Sequence, residues 1–268
     1  MSDLIIGLHD WYQTPAGRYL LAWEQRQVDQ VVADIFGYHA LQLGAGELDG
    51  LRANRMPHQW LASDHSPVFV PVGGHSPELI TDYAALPFAA SSLDLVVLSH
   101  ALELSSDPHA TLREVERVLV PEGKVVICGL NPTSLWGLRQ TRRHLYRRLG
   151  FGELFLPDDG EFIGYWRLRD WLRLLSFEVE SGSFGCYRPG VQSEKWLQRF
   201  EWMDWAGERW WPIFGSAYIV VAVKRVRGMR LLEPAWKPQR LRAGKSVSVT
   251  QQSQRLANHQ DDWATKHE

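Results

Sequence analysis

Cysteine is nearly absent from this chain: Cys128 and Cys186 are the only two in 268 residues. Two thiols cannot make a disulfide framework, and their spacing is not that of metal ligands, so no metal site is expected. No apolar run is long enough to span a bilayer, and no basic-then-apolar leader follows Met1. The expectation is a soluble, cytoplasmic protein. Excess charge is missing too. The net charge is −2, so no bulk field points to nucleic acid or a membrane surface. Apolar residues make up 45 %, enough at this length for one sizeable core, or one core with appendages. The one excess is tryptophan: there are 13, and seven lie between Trp166 and Trp211.

Hydrophobic spacing predicts the elements. Leu20, Trp23, Val28, Val31, Val32 and Ile35 keep helical spacing between Tyr19 and Phe36, with a break at Gln27 and a stop at Gly37. "HALQL" (39–43), "QWLAS" (59–63) and the weaker "PELITD" (77–82) read as strands. "LDLVVLS" (93–99) is apolar on both faces, as a central parallel strand should be. Asp107 and Pro108 cap a helix lined by Leu112, Val115, Val118 and Leu119. After the turn "PEG" (121–123) come a fifth strand, "KVVICGL" (124–130), and a helix around "LRDWLRLL" (168–175). "FEVES" (177–181) and "SAYIVVAVKRV" (216–226) complete seven strands. Strands alternating with helices from 38 to 180 predict an open, mostly parallel α/β sheet. The polar stretch 229–268 is expected to have little order, leaving 1–228 as the domain.

The stretch "LQLGAGE" (41–47) places Gly44 and Gly46 on either side of Ala45 at the end of the first strand. In open α/β sheets a ligand binds at the carboxyl ends of the strands, and glycine there lets the backbone approach it. Two features of such turns are missing: Leu48 stands where a third glycine would be, and Gln42 stands where an acid would be. Asp64, 18 residues beyond Gly46, ends the second strand. A carboxylate there can accept both hydroxyls of a ribose; otherwise it is a loop acid ahead of the turn pair Ser66-Pro67. A nicotinamide dehydrogenase and a methyltransferase using S-adenosylmethionine share these features.

The following block separates the two. Asp82, Ala84-Ala85, Leu86-Pro87-Phe88, Leu93-Asp94-Leu95, Arg117-Val118-Leu119 and Pro121-Glu122-Gly123 occur in that order. Together they resemble the class I S-adenosylmethionine-dependent methyltransferases, in particular the broad type 11 group, over about residues 38–130. The resemblance implies a Rossmann-like sheet of order 3-2-1-4-5-7-6 with the last strand antiparallel, helices on both faces, and S-adenosylmethionine as cofactor. It implies that Gly44, Ala45 and Gly46 lie against the methionine moiety and that Asp64 holds the ribose. Asp82 would accept from the adenine amino group, with the Tyr83 backbone amide facing the ring, and Ser99 would offer its carbonyl near the ammonium. Gln42 can still accept a hydrogen bond through its amide oxygen, but it supplies no charge, so weaker cofactor binding is expected. A cofactor-binding protein without turnover, acting as a regulator or partner, is the alternative.

Methyl transfer needs alignment and exclusion of water, and a base only where the acceptor must lose a proton. His100 and Glu103 are the candidate bases; each has a structural alternative, a turn cap and a solvated helix face. Trp11 and Tyr12 either fold over the cofactor or pack the N-terminal arm. The topology places two inserts, 131–165 and 187–215, over the ligand edge as a cap. In the second, Trp196, Phe200 and Met203 predict one helix that stops at Gly207. Its tryptophans line an apolar acceptor pocket or form a small subcore. In the first, "RQTRRHLYRR" (139–148) carries five arginines, from Arg139 to Arg148. It suits an anionic substrate, RNA or a membrane surface, or is a solvated flank. The acceptor stays unidentified, with an apolar or aromatic small molecule favoured.

Overall fold

The computed structural model describes residues 8–64, 78–140, 162–191 and 193–226. The tail 229–268 and residues 141–148 of the arginine-rich stretch lie outside the described residues. Seven strands pair into one sheet: β1 (His39–Gly44), β2 (His58–Ser63), β3 (Leu79–Ile80), β4 (Leu93–Ser99), β5 (Leu119–Leu130), β6 (Phe177–Gly185) and β7 (Ala217–Lys224). Their order is β3-β2-β1-β4-β5-β7-β6. β7 is antiparallel to both neighbours and the remaining pairs are parallel, the topology expected from the resemblance.

The predicted turn at Pro121-Glu122-Gly123 becomes a bulge within β5. Leu93 pairs with Leu119, but Leu95 pairs with Lys124, so the intervening residues loop out, with Glu122 at φ 66°.

Alternation of side chains along the central strands divides the core into two layers. Ala40, Leu95, Val97 and Val126 face one cluster; Leu41, Leu43, Val96 and Leu98 face the other. The first layer is covered by α1 (Leu8–Tyr12) and α2 (Pro15–Val32). Thr14 caps α2 by accepting from Gly17 N at 3.1 Å, with Pro15 in the first turn. The helix ends at Val32, before the predicted Phe36, because the Asn54 amide donates to the Val32 and Ile35 carbonyls at 2.8 and 3.0 Å. The second layer is covered by α4 (Pro108–Val118), which follows the short α3 (Ala101–Leu104), and by α5 (Tyr165–Leu174). Asp107 caps α4 as predicted, accepting from Ala110 N at 3.0 Å. Among the described residues no helix is long and apolar enough to cross a membrane.

The predicted alternation of strand and helix fails at one place that matters. Residues 45–57, between β1 and β2, are turns and contain no helix. A dinucleotide pyrophosphate in such a fold rests on the helix N-terminus that follows the glycine turn. No such helix follows Gly44 here, which removes the main structural support for the dehydrogenase reading.

Candidate functional site

Four of the residues singled out in the sequence sit at the ends of adjacent strands. Gly44 is the last residue of β1 and pairs with Ser99, the last of β4. Asp64 follows Ser63, which pairs with Ile80 of β3, and Asp82 comes two residues later. At about 4.8 Å between strands, the line from Asp82 through Asp64 and Gly44 to Ser99 spans roughly 14 Å along the carboxyl edge. A cavity of about 680 Å³ lined by Arg169, Arg173, Glu178 and Arg225 is at the opposite edge, where β6 begins.

Gly44 is demanded by this geometry. Its φ is 104°, and a Cβ there would lie 2.1 Å from the Ser99 carbonyl oxygen. That oxygen also accepts from Ala45 N at 3.0 Å, so one lone pair remains for a ligand. Ala45 is buried and Gly46 is half-buried. Leu48 is fully buried in the α2-side core, so the position where a third glycine was missing is a packing position.

Gln42 has a role that the sequence did not reveal. Its Nε2 donates to the Leu48 and Ala45 carbonyls at 2.6 and 3.2 Å, and its Oε1 accepts from Gly50 N at 2.8 Å. The buried amide therefore braces the turn from inside, and both its ends are already bonded within the protein. An acid could accept from Gly50 but could not donate to the two carbonyls. Gln42→Glu is accordingly expected to destabilise the fold by about 1–3 kcal/mol, read as a lower midpoint in urea unfolding. An unchanged midpoint would show that the turn does not depend on this amide.

Asp64 is half-buried and hydrogen-bonded to the hydroxyl of Tyr83, whose ring is buried. Burial, followed by the charge of Asp64, raises the Tyr83 phenol above its ordinary range. Asp82 is exposed, and its Oδ1 accepts from Ala84 N at 2.9 Å. Tyr83 thus contributes its side chain as the support of one carboxylate, beside the backbone role implied for it.

His100 and Glu103 lie in a buried ionic cluster with a third member, Glu24 of α2. His100 Nδ1 meets Glu103 Oε2 at 2.6 Å and its Nε2 meets Glu24 Oε1 at 2.9 Å. Glu103 Oε1 accepts from Leu130 N at 2.5 Å. His100 adopts the left-handed conformation, φ 54°, which turns its ring inward beneath α1 and α2. The Tyr12 ring stands edge-on to it at 6.3 Å between centroids. Burial opposes protonation of His100, but the charges of Glu24 and Glu103 outweigh it and hold the imidazolium well above its ordinary range. Both ring nitrogens and both Glu103 oxygens are engaged. Glu24 was missed in the sequence, although Leu20, Glu24 and Val28 recur at four-residue spacing and all three are buried. The detectable signal was an acid on the apolar stripe of a helix.

Trp11 and Tyr12 are each 1 % exposed, and Trp11 packs edge-on to Trp136. The second insert anchors to the same region. Trp136 Nε1 donates to the Arg188 carbonyl at 2.8 Å, Asp204 accepts from the Tyr19 hydroxyl, and Arg188 Nε reaches Asp204 Oδ2 at 2.8 Å. The single helix predicted from Trp196 is instead two, α6 (Glu194–Arg199) and α7 (Trp202–Trp210). α7 runs through Gly207, where a Cβ would lie 2.2 Å from the Tyr187 ring, so this glycine serves close packing rather than a stop. The subcore reading fails: Trp196, Trp202, Trp205 and Trp210 are each more than half exposed.

Residues 41–127 match a family model described as a methyltransferase domain. The chain is 29 % identical over 245 residues to the uncharacterized protein YafS of Escherichia coli strain K12, covering 90 % of this chain and 91 % of that one. It is 36 % identical over 72 residues to malonyl-(acyl-carrier protein) O-methyltransferase 1 of Coxiella burnetii, covering 25 % of this chain and only 26 % of that protein. A solved structure from Thermotoga maritima, described as a SAM-dependent methyltransferase and possible histamine N-methyltransferase, shares the fold. Its TM-score is 0.57 at 14 % identity, over 81 % of this chain and 94 % of that one.

Proposed function

We infer that this chain, which carries a class I S-adenosylmethionine-dependent methyltransferase domain, moves a methyl group onto a small acceptor with an apolar or aromatic body. One observation carries the reading: Asp82, Asp64, the Gly44 turn and Ser99 follow one another along consecutive strand ends. That order suits a nucleoside with an amino-acid arm. In this reading Asp82 accepts from the adenine amino group, and Asp64, steadied by the Tyr83 hydroxyl, takes the ribose hydroxyls. The Gly44–Gly46 backbone lies against the arm. The residues fit the group: buried oxygens of Tyr12, Glu24 and Ser99 stand without partners at the end where the arm falls.

S-adenosylmethionine supplies an electrophilic methyl on a sulfonium. The chain's own residues align the acceptor and keep water out. We assign His100 and Glu103 to structure, because all their side-chain polar atoms are bonded within the protein. The site then suits an acceptor atom with no proton to lose, such as a carboxylate oxygen. The exposed tryptophans of the 187–215 cap would meet the acceptor's apolar body.

Calorimetry with S-adenosylmethionine, followed by mass spectrometry of reactions with cell-extract fractions, tests the proposal. Saturable binding and accumulation of adenosylhomocysteine with one fraction are expected. Absence of binding overturns the reading; binding without product in any fraction favours the regulator without turnover. Asp82→Ala is expected to weaken S-adenosylmethionine binding by about 1–2 kcal/mol, and an unchanged affinity would move the adenine elsewhere.

A further inference from the structure

We infer that Glu24 anchors the ammonium of the cofactor's amino-acid arm, supplying from α2 the carboxylate that position 42 lacks. This rests on the reading of the edge as an S-adenosylmethionine site. Three side-chain oxygens around His100 are wholly buried and without partners: Tyr12 OH, Glu24 Oε2 and Ser99 Oγ. Each can accept a hydrogen bond, and an ammonium offers three N–H donors. An unpartnered buried polar atom is costly and calls for a partner.

Their position is the right one. Ser99 precedes His100 and pairs with Gly44, Glu24 touches His100 through its other oxygen, and the Tyr12 ring stands against the imidazole. If adenine lies at Asp82 and ribose at Asp64, the arm reaches the β4 end of the line, where these oxygens are. Charge points the same way. One imidazolium between two carboxylates leaves, by formal count, one negative charge unanswered. Glu103 has both oxygens engaged, so Glu24 Oε2 is the only carboxylate oxygen of the cluster left to answer a cation. Gln42 cannot substitute, since its amide is spent on the turn.

Glu24→Gln keeps an oxygen for His100 Nε2 and removes the charge. Titration calorimetry compares adenosylhomocysteine, which carries the ammonium, with 5′-methylthioadenosine, which has the same nucleoside and thioether but no amino-acid arm. The variant should bind adenosylhomocysteine about 30-fold more weakly and methylthioadenosine as the wild type does. Equal weakening of both, or of neither, overturns the assignment and leaves the three oxygens to structure or to a trapped water. Wild-type protein that binds neither nucleoside would instead remove the S-adenosylmethionine reading itself. Should the variant not fold, wild-type protein is titrated with a deaminated adenosylhomocysteine. Binding about 30-fold weaker than the parent compound supports the assignment, and equal binding overturns it.

Discussion

His100→Ala should lower the stability of the folded chain by about 3–5 kcal/mol, the cost of removing one partner from a buried ionic cluster. The substitution leaves Glu24 and Glu103 facing one another, the first fully buried and the second nearly so, with the imidazolium between them gone. It also takes the edge-on ring from Tyr12. Urea unfolding at fixed pH measures the loss. The same residue gives a pH signature in the wild type. His100 binds its proton more tightly folded than unfolded, so its stabilising contribution is complete below about pH 6.5, the unfolded value, and declines as pH rises toward the folded one. Through that window it contributes a slope of about −1.4 kcal/mol per pH unit. Wild-type stability that stays flat from pH 6.5 to about 8, with a variant of unchanged stability, would show the cluster to be energetically idle.

Gly44→Ala is expected to cost about 3 kcal/mol or more and to abolish cofactor binding. Two effects add: an L side chain at φ 104° is strained, and its Cβ meets the Ser99 carbonyl oxygen at 2.1 Å. Neither is easily relieved. Ser99 is held by Ala45 N and by pairing of β4 with β1 and β5. Relief would separate the two strand ends that the proposed site needs together. Gly164→Ala is the control, since its Cβ would meet only Pro132 Cγ at 3.6 Å. Thermal unfolding and S-adenosylmethionine calorimetry on both variants check the contrast; equal behaviour would mean that the turn at Gly44 is plastic.

These two positions were not equally legible. Gly44 announced itself through a glycine pair after an apolar run, because a backbone requirement is written locally. His100 is legible only by its place after β4, which suits a base or a turn cap equally, because its partner Glu24 is 76 residues away. Gln42 shows a related limit. Its residue type showed a missing charge, whereas its function is donation to the carbonyls of Ala45 and Leu48, a geometry that residue types do not state. The cap shows the limit of periodicity alone. Trp196, Phe200 and Met203 fit one helix, but the chain breaks after Arg199 and continues through Gly207, where Tyr187 leaves no room for a side chain.

Local sequence patterns are enough for the seven strands, the glycine turn and the Asp107 cap of α4. Each depends on near neighbours: alternating burial, a missing Cβ, a side chain bonding its own backbone. It took the assembled fold to bring an α2 glutamate to the β4 end, to set the amide at 42 to holding the turn, and to leave Gly44 without a following helix. Those outcomes depend on which distant groups meet in a dry interior, where an unpaired charge or a misplaced atom costs enough to override local preference.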